Sequence, residues 1–295
     1  MEGLLASGMS VPLLLQLRYS MQIAKLPLCL LVSFSSLFGF LYAAEAFSFQ
    51  ALLVFFAILF LSSGAASMNS YQERVQDALM RRTRNRPLVQ KRLREKTAFL
   101  QAVVLLGAGL CMLLLFADYK AFLTGILAVV LYNYVYTQLK ALTPYALLPG
   151  AICGALPPYI GWLAGGGEVF SLRAALPVLL LFFWQIPHFF LVLLKHKEDY
   201  LSTRLPNLLR SLSEPTLRRL LLPWIGALSV TLQAFTVFPM HSSLISRSLL
   251  SINALVLFGV FAVQLVGTAQ EPNYRYLFRH LNCALFFMML VVVLQ

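Results

Sequence analysis

Three side chains that carry oxygen ligands recur at every fourth residue beside an apolar stretch. They are Asn69, Glu73 and Asp77. Residues four apart on a helix project from nearly the same face, so these three could converge on one divalent cation. Oxygen ligands of this kind suit Mg²⁺. Polar groups next to an apolar span are costly, which indicates that they serve a purpose.

A cluster of arginines follows directly, at Arg81, Arg82, Arg84 and Arg86. Guanidinium groups beside a carboxylate-held Mg²⁺ are what a diphosphate needs in order to be bound and to leave as an anion. Basic clusters that flank a membrane span are also common topology signals, and for the arginines alone this alternative stays open. The acidic side chains on one face favour the chemical interpretation. Pro87 is expected to end the helix.

The composition excludes an ordinary soluble domain, because 60% of the 295 residues are hydrophobic and only 12% are charged. Nine apolar stretches each approach the ~20 residues that a helix needs to span the hydrocarbon. They cover residues 28–44, 50–68, 98–117, 121–138, 145–164, 174–194, 220–239, 249–266 and 280–294. Long, uniformly apolar runs suit helices and not barrel strands. The sequence therefore predicts an all-α polytopic membrane protein with about nine transmembrane helices.

The distribution of lysine and arginine predicts the orientation of these spans. If the N-terminus lies inside, all but three of the 23 basic residues fall on the inner side, and the exceptions are Lys120, Arg173 and Arg247. The net charge of +12 is then explained by topology and by an anionic substrate. A nucleic-acid partner is not expected, because no large basic domain is present. The four cysteines fall in four different spans, a pattern that argues against disulfides or zinc.

The expected organisation is an interfacial or cytoplasmic N-terminal segment, residues 1–26, followed by a transmembrane domain, residues 27–295. A signal peptide is not expected, and neither is a mitochondrial transit segment, which favours a bacterial inner membrane. The two sizeable polar loops, 69–97 and 195–219, both fall on the inner face and could close over one site. The second loop begins with Lys195, Asp199 and Tyr200, and its similarity to the first suggests an internal repeat.

Other polar and aromatic residues near these loops have two interpretations each. Tyr132, Tyr136 and Lys140 recur every four residues; they could stabilise a carbocation and bind diphosphate, or form an interface belt with a snorkelling lysine. The small residues of segment 150–162 allow close helix contact, and Pro157 and Pro158 are expected to break the regular backbone inside the span, either where it lines a cavity or as a purely structural kink. His188 is either a hydrogen-bonded structural group or a ligand.

Together these residues resemble the UbiA superfamily of intramembrane prenyltransferases, and within it the branch that modifies heme. The first motif of that family is matched by Asn69, Glu73, Asp77, Met80, Arg82, Thr83, Arg86, Pro87 and Leu88. The heme branch is matched by YTQLK with Thr143-Pro144, by GALPPYIGW, and by WQIPHFF followed by Asp199-Tyr200. The chain departs from the family pattern at Glu73, Val75, Ala146 and Glu198.

The resemblance implies a cytoplasm-facing cavity in which Mg²⁺ joins the first motif to farnesyl diphosphate. A vinyl group of heme B would attack the farnesyl cation, and water would complete heme O. The implied roles are metal binding by Asn69, Glu73 and Asp77; a second metal or diphosphate orientation for Asp199; phosphate binding by Arg82, Arg86 and Lys140; cation stabilisation by Tyr136; and substrate contacts by Lys195, Tyr200 and, near the heme, His188.

The resemblance leaves alternatives within and outside the enzyme class. A UbiA relative could prenylate a quinone precursor or another lipid acceptor. A transporter would need polar groups along a continuous path, whereas the charges here gather on one side. A heme-handling membrane protein without catalytic activity would tolerate loss of the acidic side chains. Besides the substrates and the lipid bilayer, heme A synthase and oxidase assembly proteins are the candidate partners.

Overall fold

The computed structural model describes residues 12–238, 243–266 and 272–294. Across these three ranges all regular structure is helical and no strand occurs, which confirms the predicted fold class. The first helix, α1 (Leu13–Ile23), lies in the predicted N-terminal segment, whose residues 1–11 fall outside the described part.

Nine longer helical segments follow α1, and short helices interrupt the two polar loops. In chain order the helices are α2 (Leu26–Ala44), α3 (Phe49–Gln72), α4 (Arg74–Leu79), α5 (Glu95–Phe116), α6 (Tyr119–Val129), α7 (Thr137–Leu142), α8 (Leu147–Ala164), α9 (Leu172–Lys195), α10 (Lys197–Leu201), α11 (Leu208–Ser211), α12 (Glu214–Ala234), α13 (Leu244–Val266) and α14 (Tyr274–Val293). A π-helical segment, Val130–Tyr136, joins α6 to α7, and a 3₁₀ turn, Pro144–Ala146, precedes α8.

Eight of these segments are long and apolar enough to cross a membrane. They are α2, α3, α5, the continuous run Tyr119–Leu142, the run Pro144–Ala164, α9, α13 and α14. The predicted span 220–239 overlaps α12, which is not among the eight and carries Glu214, Arg218 and Arg219 in its first turns. The end of that predicted span, Pro239, lies outside the described residues.

The long helices pack in chain order into a ring. Each long helix contacts the next one in the chain, and the last contacts the first. The order is α2, α3, α5, α6, α8, α9, α12, α13 and α14. The most extensive contacts across the ring join α2 to α8 and α9 to α14. A Cβ atom at Gly39 would lie 1.9 Å from the carbonyl oxygen of Pro158, and one at Gly161 would lie 1.8 Å from that of Ser36. The predicted close contact of small residues therefore joins α8 to α2.

The prediction that Pro157 and Pro158 break a helix is wrong. Both prolines lie inside α8, which is helical from Leu147 to Ala164. Proline removes a backbone donor and frees the carbonyl four residues earlier, a loss that neighbouring helices can offset within a membrane. The tight packing of α2 along this face holds the segment in helical form. The irregular backbone lies instead in the π-helical segment on the adjacent helix.

Both polar loops are shorter than predicted, because the flanking helices extend into them. Helix α3 continues to Gln72 and α5 begins at Glu95, so the first loop covers residues 73–94. Helix α9 continues to Lys195 and α12 begins at Glu214, so the second covers residues 196–213. In each case a one-residue interruption, at Glu73 or at His196, is followed by a short helix, α4 or α10. The two halves therefore share this local arrangement.

Candidate active site

A cavity of about 200 Å³ lies where the two loops meet the helix ends. Loop 73–94 contributes Met80, Arg82, Thr83 and Arg86, and loop 196–213 contributes Tyr200, Leu205, Pro206 and Asn207. The remaining walls come from Lys25, from the Asn69–Asp77 stretch and from the segment between Tyr132 and Leu147, with Phe189 of α9. The two polar loops that the sequence predicted to share one site therefore do so.

Asn69, Glu73 and Asp77 all reach this cavity and are almost fully buried, with 2%, 8% and 7% of their surface exposed. The helix is interrupted at Glu73, but the spacing survives the interruption. Glu73 N–H still donates to the Asn69 carbonyl at 2.9 Å, and Asp77 N–H donates to the Glu73 carbonyl at 2.8 Å. The three side chains are thereby kept on one face, as the four-residue recurrence predicted.

The helix ends at Leu79, and the prediction that Pro87 ends it is wrong. In a continued helix, Arg81 N–H would bond to the Asp77 carbonyl. That carbonyl instead accepts the Thr83 hydroxyl at 2.8 Å, and Arg81 N–H donates to the Asp199 carboxylate at 2.8 Å. Met80 is extended, so the arginines lie on a turn and not on a helix face. This turn brings Arg86 back to the cavity.

Each of the three oxygen-bearing side chains is paired with a different cation. Lys25 Nζ donates to Asn69 Oδ1 at 2.7 Å, Lys140 Nζ to Glu73 Oε1 at 2.9 Å, and Arg86 Nη1 to Asp77 Oδ2 at 2.6 Å. These three pairs converge on one small volume and, with Arg82, supply more positive than negative charge. Such a site favours a multiply charged anion.

Two pKa values at the edge of the membrane-spanning segments reflect this crowding. Burial, reinforced by the nearby Arg86 guanidinium, lowers the pKa of Lys25 to about 8. Burial alone would raise the pKa of the Glu73 carboxyl, but the charge and the hydrogen bond of Lys140 outweigh it, and the pKa is lowered. Glu73 therefore stays ionised and available as an oxygen ligand at neutral pH.

Tyr132 and Tyr136 lie on the π-helical segment and both line the cavity. Their rings stack with centroids 5.7 Å apart and planes 28° apart. The ring of Tyr136 rests on Gly150 of α8, where an added Cβ would lie 2.8 Å from a ring carbon. π-helical insertions often occur at functional sites, and here the insertion presents two aromatic rings to the same space.

Four further residues were predicted to belong to the site, and only one of them reaches the cavity. Tyr200 lines the cavity, whereas His188, Lys195 and Asp199 are not among its lining residues. His188 lies between Trp184 and Phe278, at ring-centroid distances of 4.4 Å and 4.8 Å, and Lys195 Nζ lies 5.3 Å from the Phe278 ring centroid. Both Asp199 oxygens accept backbone N–H groups of loop 73–94.

Two further residues organise the cavity through contacts that were not predicted from the sequence. Lys25 was counted only as a topology charge, but its ammonium group bonds to Asn69, 44 positions away. Thr137 accepts the Asn69 amide N–H at 3.1 Å and donates to the Tyr132 carbonyl at 2.8 Å, which fixes the orientation of the amide. No local pattern marks Lys25, and although Thr137 lies within the YTQLK segment, its contact with Asn69 is 68 positions away in the sequence. The departures Val75 and Glu198 are exposed, whereas Ala146 lines the cavity.

The donor set fits a divalent cation that is shared with a substrate. Within the described ranges, no cluster of three or more His, Cys, Asp or Glu side chains could hold a metal by itself. Asn69, Glu73 and Asp77 offer one amide and two carboxylate oxygens on one buried face. Mg²⁺ typically binds through one or two carboxylates and takes its other ligands from phosphates and water. The cavity has this composition, and cationic side chains surround the three oxygen-bearing groups.

Comparisons with known proteins agree with this geometry. Residues 32–291 match the UbiA prenyltransferase family. The protoheme IX farnesyltransferase of Nitratidesulfovibrio vulgaris (strain DP4) is 34% identical over 236 residues, which are 80% of this chain and 82% of the relative. The protoheme IX farnesyltransferase of Oleidesulfovibrio alaskensis is 33% identical over 266 residues, which are 90% and 92% of the two chains.

Solved structures show the same fold at low sequence identity. A UbiA homologue from Aeropyrum pernix K1 has a TM-score of 0.72 and 19% identity, covering 89% of this chain and 97% of that one. A UbiA homologue from Archaeoglobus fulgidus, bound to DMAPP and Mg²⁺, has a TM-score of 0.66 and 18% identity, covering 94% and 99%. With its matching fold, motif and relatives, this chain belongs to the UbiA prenyltransferase family.

Proposed function

We propose that this protein transfers the farnesyl group of farnesyl diphosphate to a vinyl group of heme B and so produces heme O. The observation that carries the proposal is the convergence of three buried oxygen ligands, four cations and two stacked tyrosines in one cavity. Relatives named protoheme IX farnesyltransferase, 33% and 34% identical over most of the chain, support heme as the acceptor rather than a quinone precursor.

Asn69, Glu73 and Asp77 would hold Mg²⁺, and the Archaeoglobus fulgidus homologue bound to DMAPP and Mg²⁺ supports this choice of metal. The bound ion supplies a Lewis acid that neutralises charge on the diphosphate. Arg82, Arg86 and Lys140 would bind phosphate oxygens, and Lys25 stands beside them as a further cation. These groups stabilise the leaving diphosphate as it takes the electron pair of the breaking C–O bond.

The resulting allylic cation would lie next to the aromatic rings that line the cavity. Tyr136, stacked on Tyr132, is placed to stabilise the positive charge through its ring. The vinyl π electrons of heme B then form the new C–C bond. Water adds to the carbon left cationic and releases one proton, which completes the hydroxyethylfarnesyl group.

Two buried polar atoms of α9 mark the proposed position of the acceptor. Trp184 Nε1 and His188 Nδ1 are buried and have no hydrogen-bond partner within the described structure. Unpaired polar atoms on a membrane helix are costly and favour a ligand role. We therefore keep His188 as a proposed heme contact, and Lys195 and Tyr200 as proposed substrate contacts, although only Tyr200 faces the diphosphate cavity. The site would face the cytoplasm of a bacterial inner membrane, with heme A synthase and oxidase assembly proteins as candidate partners.

The proposal is tested with purified protein in lipid nanodiscs and labelled farnesyl diphosphate. Heme B and an aromatic quinone precursor are offered separately, each with Mg²⁺ or with excess EDTA. We expect label to enter a heme product only with Mg²⁺ present. Label in the quinone precursor and none in heme would contradict the acceptor assignment, and transfer that continues in EDTA would contradict the metal assignment.

A further inference from the structure

The two polar loops are joined directly by one side chain, that of Asp199. Its Oδ1 accepts the backbone N–H of Arg81 at 2.8 Å, and its Oδ2 accepts the backbone N–H of Arg82 at 3.3 Å. The partners are more than a hundred positions apart in the chain. Hydrogen bonds to an ionised acceptor are roughly twice as strong as neutral ones, so a single carboxylate links the two loops through two backbone amides.

The amides that Asp199 binds belong to the turn that aims the arginines. Thr83 N–H and Arg84 N–H both donate to the Met80 carbonyl, at 3.1 Å and 2.9 Å, which makes the turn a compact unit. A shift of the Arg81 and Arg82 backbone would therefore move the whole turn. Arg82 and Arg86 both reach the cavity from this unit, and Arg86 pairs with Asp77.

Asp199 is itself held in place by its own loop. Its N–H donates to the His196 carbonyl at 3.0 Å, and its carbonyl accepts the Ser202 hydroxyl at 2.9 Å. The adjacent Tyr200 lines the cavity on the other side. The carboxylate thus connects the wall that carries Tyr200 to the wall that carries Arg82.

We infer that Asp199 is a positioning residue that holds the two loops together over the diphosphate, and that it does not bind a metal ion. This inference rests on the proposed function, since it assigns the arginines of the turn to the diphosphate. Asp199 does not line the cavity that Asn69, Glu73 and Asp77 reach, and its two oxygens accept the backbone N–H groups of the turn. Loss of the carboxylate should release the turn and weaken prenyl diphosphate binding, while the metal ligands stay intact.

The test compares Asp199→Ala and Asp199→Asn with Glu198→Ala, a matched control at an exposed neighbouring side chain. The first readout is limited trypsin digestion of purified protein in nanodiscs without substrate, with cleavage mapped between Arg81 and Lys91. We expect Asp199→Ala to be cut at least several-fold faster than the wild type there, and Glu198→Ala to be cut at the wild-type rate. Asp199→Asn keeps an acceptor oxygen and should lie between the two.

The second readout separates binding from chemistry in the transfer assay. Loss of hydrogen bonds to a charged group corresponds to roughly a 10-fold effect, so we expect Asp199→Ala to raise the KM for farnesyl diphosphate about 10-fold. The half-saturating Mg²⁺ concentration should change less than about two-fold, and Asp199→Asn should recover part of the KM. An unchanged cleavage pattern, or a large rise in the Mg²⁺ requirement of both variants, would overturn the inference. If the wild type itself transfers nothing to heme, the proposed function fails, while the digestion still tests the loop contact.

Discussion

Asp77 is a proposed metal ligand that also contacts Arg86, a proposed diphosphate ligand. Its carboxylate accepts Arg86 at 2.6 Å, and its backbone carbonyl separately accepts Thr83. Asp77→Asn removes the charge but keeps the shape and the backbone contact. We expect turnover at limiting Mg²⁺ to fall roughly 100-fold, because a group that stabilises charge in the transition state is worth about that much. Initial rates across a Mg²⁺ titration measure this.

Val75→Asn is the matched control for Asp77→Asn, because Val75 lies on the same short helix and is 68% exposed. It should keep the wild-type rate and Mg²⁺ dependence. Wild-type turnover of Asp77→Asn at limiting Mg²⁺ would show that Asp77 does not hold the metal.

The proposed role of Tyr136 depends on its aromatic ring and not on its hydroxyl, and two substitutions distinguish these groups. If the aromatic face stabilises the cation, Tyr136→Phe should retain most of the kcat, whereas Tyr136→Leu should lose about 10-fold or more, since a desolvated cation–π contact contributes ~2 kcal/mol. Single-turnover rates isolate the chemical step. Equal losses in both variants would assign the effect to the hydroxyl and contradict the proposed role of the ring.

The oxygen-bearing side chains of the cavity could be predicted from sequence because they follow local helical spacing. Asn69, Glu73 and Asp77 stay on one face even across the interruption at Glu73. Lys25 could not be predicted, because its only mark is a non-local bond to Asn69. The placement of Asp199 was also unpredictable, since its partners are backbone amides of a distant turn, and backbone donors leave no trace in a sequence.

At the scale of helices, Gly150 determines where the π-helical segment places its aromatic ring. A Cβ at Gly150 would lie 2.8 Å from Tyr136, so Gly150→Val should push the ring out of position. We expect kcat to fall roughly 10- to 100-fold, as for small misplacements of reacting groups, with a smaller change in KM. Gly107→Val is the control, because nothing lies within 4 Å of the Cβ position there. Equal kcat values for the two variants would contradict the ring placement.

Glu214 joins three helices beside the second polar loop, and this junction should depend on pH. Its carboxylate accepts Lys197 at 2.7 Å, Arg218 at 2.5 Å and the Tyr274 hydroxyl at 2.9 Å, linking α12 to α10 and α14. Burial opposes ionisation, but these hydrogen bonds outweigh it and lower the pKa of Glu214 to about 2. A lowered carboxyl pKa stabilises the fold above the ordinary value near 4.5 and loses that effect as the pH falls from there toward 2.

Thermal unfolding in detergent measures this dependence. Glu214→Gln should lower the Tm relative to the wild type at about pH 7, and the difference should shrink by about pH 3.5. Glu168→Gln, at an exposed carboxylate, should leave the Tm unchanged at both values. A Tm difference for Glu214→Gln that is as large in acid as at neutral pH would contradict the assigned role of the charge.

The helices themselves were predictable from apolar runs, and their ends were less so. Pro87 was expected to end a helix that in fact stops at Leu79, because Thr83 and Asp199 take the hydrogen bonds that another turn would need. Pro157 and Pro158 were expected to break α8, but tight packing against α2 keeps it helical. In both cases tertiary contacts override a local preference that is correct for an isolated segment.

For the molecule as a whole, the ring of helices brings two distant loops together at one end of the bundle. One loop follows α3 and the other follows α9, and the two share a cavity and a direct hydrogen bond. The other end is held by a separate contact, in which Arg173 pairs with Glu45 at 2.7 Å. Because the charged side chains of the cavity lie at one end only, the described structure favours an enzyme over a transporter with a continuous polar path.

The central claim is the formation of a farnesylated heme, and mass spectrometry tests it most directly. Hemes are extracted from a bacterial host that lacks its own enzyme for this step, with and without this protein expressed. The proposal predicts a heme B derivative heavier by one farnesyl group and one water only when the protein is present, and none with Asp77→Asn. Unmodified heme B in cells that contain the membrane-inserted wild-type protein would contradict it.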